Sequence, residues 1–117
     1  MSLQDITEPG KLNITITAGT SFHKELILKD ASGTVIDLTG YTGYAQIRKG
    51  SRQNLLATFT VTITAIEGKV ELDLSKTETA GLSGPAKWDL ILESGPSDSH
   101  LVVEGDVEVI KSITVVP

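Results

Sequence analysis

Few side chains in this sequence can do acid–base chemistry. There are two histidines, His23 and His100, and no cysteine. His100 stands beside Ser97, Asp98 and Ser99, which are the residue types of a nucleophile–base–carboxylate relay. That relay needs groups converging from different elements, with the orienting carboxylate behind the imidazole. Residues adjacent in one loop do not reach that arrangement, so the stretch reads as a solvated loop. His23 has no evident partner either. Glu104, Asp106 and Glu108 alternate along one predicted strand and so share a face. A hard cation uses such oxygens, but it wants six to eight ligands, usually from a loop with turn glycines, and no D-x-D-x-D-G loop is present. Glycoside hydrolysis would need two carboxylates across a cleft, which spacing does not show. The triplet therefore reads as a solvated outer face.

Arg48, Lys49 and Arg52 cluster at one predicted hairpin with Tyr41 and Tyr44 nearby. Cations with stacking rings can hold single-stranded nucleic acid. On a chain of net charge −5 the cluster reads instead as a solvated turn. Asn13-Ile14-Thr15 has the spacing of a glycosylation acceptor but lies in a predicted strand. Trp88, the single tryptophan, would be a sugar platform if exposed. It alternates in phase with Leu90 and Leu92, which assigns it to the core. No P-loop, dinucleotide turn or nucleophile elbow occurs. No catalytic, cofactor-binding or metal-ligating residue is assigned, and the expectation is a protein that is not an enzyme and uses no cofactor.

The elements that carry these residues have a period of two. Leu12, Ile14 and Ile16 alternate with Asn13, Thr15 and Thr17, the pattern of a half-buried strand. Phe22, Leu26 and Leu28 share a face with Lys24 as the odd member. A short strand is expected through Val35 and Ile36. Ala45 and Ile47 point inward from the next strand. Leu55 to Ile63 reads as one return strand after the Gly50–Asn54 loop. Val70, Leu72 and Leu74 follow. Ser75 and Glu78 have capping-box spacing, which predicts a single helical turn ending near Gly81. The last run, Leu101 to Val109, carries Gly105 as a bulge or bend, and Ile113 and Val115 continue its phase.

Seven to eight strands at about 8–12-residue spacing predict an all-β, antiparallel two-sheet sandwich of immunoglobulin-like type. Its core is expected to contain Phe22, Leu26, Ile47, Phe59, Val61, Leu72, Trp88, Leu90, Val103 and Val107. The length of 117 residues suits one domain. Residues 1–10 are expected to be a flexible N-terminal segment whose Met1-Ser2-Leu3 start has the look of a cloning remnant, and residues 11–117 the sandwich. The start is polar, without a signal-peptide core. No apolar run approaches the ~18 residues of a membrane helix. The acidic balance argues against nucleic acid and anionic membrane as partners. The lack of cysteine excludes a disulfide framework and fits a reducing compartment.

Three ordered stretches carry a family resemblance. The run from Asp30 to Gly40 holds Asp30-Ala31-Ser32-Gly33 and Asp37-Leu38-Thr39-Gly40, and Tyr44-Ala45-Gln46-Ile47-Arg48 follows. Next is Leu55-Leu56-Ala57-Thr58-Phe59. Last is Gly84-Pro85-Ala86-Lys87-Trp88-Asp89-Leu90. Over residues 11–115 this resembles the small β-domains of phage and prophage tail or baseplate proteins, among them the N-terminal domain of baseplate upper proteins. The Gly-Pro-x-x-Trp corner is also similar to that of immunoglobulin-like domains. The resemblance implies a non-enzymatic building block of a virion, in tail, baseplate or head–tail connector, assembled in the host bacterial cytoplasm. It supplies no site residue. Partners would be other virion proteins, or copies of the chain in a homo-oligomer, met through strand edges. Lys24 and Lys111 guard some edges, while Leu12–Thr17 and Ile113–Val116 lack such guards. The alternative is an immunoglobulin-like adhesion or carbohydrate-binding module of a larger surface protein.

Overall fold

The computed structural model describes residues 10–50 and 54–114. Among them the alternating segments form nine strands: β1 Gly10–Lys11, β2 Ile14–Ala18, β3 Phe22–Ile27, β4 Thr42–Arg48, β5 Leu55–Thr58, β6 Thr60–Thr64, β7 Lys69–Leu74, β8 Ala86–Gly95 and β9 Asp98–Lys111. One sheet has the order β1–β9–β8–β4–β5, with β2 also pairing β9; the other has the order β3–β7–β6. The chain is thus the expected two-sheet β-sandwich. Taking β3 as strand B, the two sheets reproduce the B-E-D and C-F-G orders of the immunoglobulin arrangement. Pairing is antiparallel except at the N-terminus, where β1 and β2 run parallel to β9. Gly10, placed in the flexible segment by sequence, is paired to Val103. Residues 1–9 of that segment lie outside the described residues.

The core sits between the sheets. Ile47, Phe59, Leu72, Trp88, Leu90, Val103 and Val107 are buried as expected. Phe22, Leu26 and Val61 are only partly buried. They belong to β3 and β6, the two edges of the smaller sheet, where cover is one-sided. Lys24 lies opposite the fully buried Leu72, in the inward phase of β3, yet is exposed. An inward-phased charge on an edge strand discourages pairing with another chain, because its burial would go uncompensated.

Three expectations change. Leu55–Ile63 is not one strand: it breaks at Phe59, whose N–H donates to the Ala45 carbonyl at 2.9 Å. The ring is buried between Phe22 and Trp88, with centroids 5.9 and 6.0 Å away. Anchoring Phe59 there moves the chain from the larger sheet to the smaller one. Val35 makes an isolated bridge with Lys29 rather than a strand. β9 ends at Lys111, and Ile113 is fully exposed; Val115 lies outside the described residues.

The two aspartate corners are local. The Asp30 carboxylate accepts from the Ser32 and Thr34 N–H groups, at 2.9 and 3.0 Å. Asp37 accepts from the Thr39 N–H at 2.9 Å. Such side chains replace backbone partners in a turn. Gly33 and Gly40 close the corners with φ of 87° each, where a Cβ would be strained. These hydrogen bonds hold the carboxyls of Asp30 and Asp37 below their ordinary values, with Ser32 and Thr39 the largest causes. The capping box is present: the Glu78 N–H donates to Ser75 Oγ and the Ser75 N–H to the Glu78 carboxylate. It starts the short helix α1, Lys76–Ala80.

Candidate functional site

His100 is the first place to look for chemistry. Its Nε2 meets Asp98 Oδ1 at 2.8 Å, and Asp98 also accepts from Ser94 Oγ. The carboxylate sits between serine and imidazole. A nucleophilic relay needs the imidazole in the middle, so that it can take the hydroxyl proton. Ser99 is bonded to Glu93 instead, at 3.2 Å. The group ties the β8–β9 turn together, and the bond from Ser94, followed by that from His100, holds the Asp98 carboxyl below its ordinary value.

His23 is not alone either. It lies on the outer face of the smaller sheet, directly across from Asp73, and its Nδ1–H donates to Asp73 Oδ1 at 2.6 Å. Its Nε2 is 3.8 Å from Glu71. Ligand-type atoms of His23, Glu25 and Glu71 lie within 4.8 Å of one another. Both histidines read as unpartnered in sequence are therefore partnered, because the carboxylate for His23 comes from β7, 50 residues away. The hydrogen bond to Asp73 is the largest cause that raises the His23 pKa above its ordinary 6.5; desolvation opposes it, and the charges of Asp73, Glu71 and Glu25 add to the rise. The cluster is exposed and favours an imidazolium clasped by carboxylates. Lys69 adds a second cation beside Glu25 and Glu67, at 4.0 and 3.4 Å.

The acidic triplet of β9 does share one face, as read from sequence, and each member has a partner. Glu104 meets Lys11, Asp106 meets Lys87 at 2.6 Å, and Glu108 accepts from the Thr15 hydroxyl at 3.4 Å. Arg48 lies two strands from β9 and donates to Gln46 Oε1 at 2.8 Å. The Lys49 N–H closes the hairpin onto the Asn54 carbonyl; Arg52 lies outside the described residues. Tyr44 is 53 % exposed and Tyr41 half-buried, so the cationic turn has one exposed ring near it.

Asp89 was not singled out by sequence. It is half-buried on the outer face of β8, in an open groove of about 820 Å³ with Arg48, Lys87, Gln46, Glu104 and Asp106 around it. It has no hydrogen-bond donor among the described residues. Burial first, then the charge of Glu104, raise its pKa, against a smaller pull from Arg48. Only the register, which sets Asp89 between Gln46 and Glu104, reveals this.

Trp88 is 3 % exposed and is no sugar platform. Its Nε1–H donates to the Leu12 carbonyl at 2.8 Å, and the Leu12 N–H donates to the Glu104 carbonyl. Gly105 is no bulge: it pairs in register with Trp88. A Cβ there would fall 1.9 Å from the Leu12 carbonyl oxygen, so the glycine lets the β1–β2 junction pack close against β9. The Asn13 side chain accepts from the Asp106 N–H at 3.0 Å and fixes the same close approach. The Asn13-Ile14-Thr15 triplet therefore has a structural role at the seam.

The described geometry is a sandwich sewn shut by its terminal strands, with its ionisable groups spread over two outer faces. Among curated proteins, none matches the sequence. The family model described as LtfC-like, beta-sandwich domain matches residues 8–109, which take in both sheets from β1 through most of β9. The chain belongs to the LtfC-like β-sandwich family.

Proposed function

We propose that this domain is a non-enzymatic structural part of a phage or prophage virion, working in tail, baseplate or head–tail connector. The family match over the whole sandwich carries the reading. The ordered corners that resemble phage tail and baseplate domains support it, since each has a structural task here. Asp30 and Asp37 build turns, and Trp88 locks Leu12. The charged residues pair with one another across neighbouring strands, which suits a surface that is presented rather than a pocket that reacts.

Assembly through a strand edge is the mechanism. β9 lies between β2 and β8, so its edges are taken. Among the described residues the open terminal edge is the outer side of β2, Ile14–Ala18, which carries no Lys, Arg, Asp, Glu or Pro. Unpaired N–H and C=O groups there can take a strand from a neighbour. Co-expression with the products of the genes flanking its own, followed by size-exclusion chromatography, tests the reading. A stable complex with at least one product is expected. A chain that stays free of every flanking product contradicts it.

A further inference from the structure

The outer face of β4, β8 and β9 is built in rows that follow the ladder registers. Tyr44, Ile91 and Leu101 form an apolar row. Gln46, Asp89 and Glu104 form the next, then Arg48, Lys87 and Asp106. On the other side of the apolar row lie Thr42, Glu93 and Ser99. Tyr44 is 53 % exposed and Leu101 38 %, with Ile91 half-buried between them. The cation Arg48 is on β4 and the anions Glu104 and Asp106 on β9, one on each side of β8.

We infer that this face docks a second copy of the same chain, about a two-fold axis running along β8. The inference rests on the assembly reading above and names a contact for it. The axis exchanges β4 and β9 and leaves each row facing itself. Arg48 then meets Asp106 of the second copy, Gln46 meets Glu104, and Tyr44 meets Leu101, while Ile91 packs on Ile91. Lys87 gives up Asp106 to the incoming arginine and reaches the second copy's Asp89, about 7 Å further along the axial strand. The half-buried carboxylate without a donor thereby gains a cation. The contact is isologous, so every pair of unlike residues forms twice. Lys87, Asp89 and Glu93 each also meet their own copy along the axis, and these like-charge contacts limit affinity. Three strands ~4.8 Å apart and four rows ~7 Å apart give roughly 300–400 Å² a side, below the ~800 Å² of a standard interface. The contact is weak for the free domain and gains strength when copies are held together in a larger body.

Sedimentation equilibrium and NMR on the whole chain, up to millimolar concentration, test this. Self-association should appear, and the amide shifts that move with concentration should map to β4, β8 and β9. Arg48→Glu and Asp106→Arg should each weaken it about tenfold, and the double variant should restore it to within about threefold, as expected for charges that meet across an interface. Both positions are on the surface, and the variants' melting curves check that they fold. Four results overturn the inference: a strictly monomeric chain, concentration-dependent shifts confined to β2, single reversals without effect, or a double variant that is not rescued. A monomeric chain that still binds a flanking gene product would sink this contact and leave the assembly reading intact.

Discussion

His23 shows how two strands make a site that neither contains. Its raised pKa has a definite consequence for stability. The imidazolium is clasped in the folded chain and free in the unfolded one. The stabilisation is therefore fully present below the unfolded pKa near 6.5 and is lost as pH rises through the higher folded value. His23→Gln should remove this contribution. Compared with wild type by calorimetry, the variant should lose less melting temperature when pH is raised from about 6 to about 9. Parallel pH profiles would contradict the pairing. Trp88 is a second case. Trp88→Ala should cost about 3–5 kcal/mol by chemical denaturation, from the lost ring and the cavity left behind. Trp88→Phe keeps an aromatic ring but orphans the Leu12 carbonyl, and should cost about 1–3 kcal/mol. A loss under ~1 kcal/mol for Trp88→Ala would mean that the ring is not core.

At the scale of elements, β9 organises the sandwich, since β1, β2 and β8 all pair with it. Gly105→Ala would push a methyl into the Leu12 carbonyl and should unseat the β1–β2 junction, at about 3 kcal/mol or more. Faster hydrogen exchange in β2 with little change in the smaller sheet would locate the damage; unchanged exchange would contradict the close packing. Thr79 is fully buried on α1 and bridges to the turn after β2. Its hydroxyl donates to the Thr20 carbonyl at 2.6 Å and accepts the Gly19 N–H at 3.0 Å. Thr79→Val keeps the shape and drops both bonds, so it should destabilise by about 1–3 kcal/mol while leaving the Ser75 cap in place. The period of two was enough to locate most strands, the core phase and the capped turn, because those depend on neighbours in sequence. The break at Phe59 was not legible, since a run of β-branched residues has the same pattern whether it stays in one sheet or changes sheets. The close approach at Gly105 and the bridging hydroxyl of Thr79 were hidden for the same reason: the partner backbone is distant in sequence.

For the whole molecule, the faces differ. The smaller sheet presents His23, Lys69 and carboxylates on short pairs, and its β3 edge carries the inward-phased Lys24. The larger sheet presents the rowed face of β4, β8 and β9 and the uncharged outer edge of β2. The sandwich was readable from alternation and residue types. Which charges meet was not, because that needs strand register. A virion part, as proposed above, travels with the particle. On that proposal the chain is encoded by a phage or inducible prophage, whose particles can be purified on a density gradient and quantified by mass spectrometry. The chain is expected in intact particles at a fixed copy number relative to the major tail protein. Intact particles that lack it, with the chain left in the soluble lysate, would rule out a virion part.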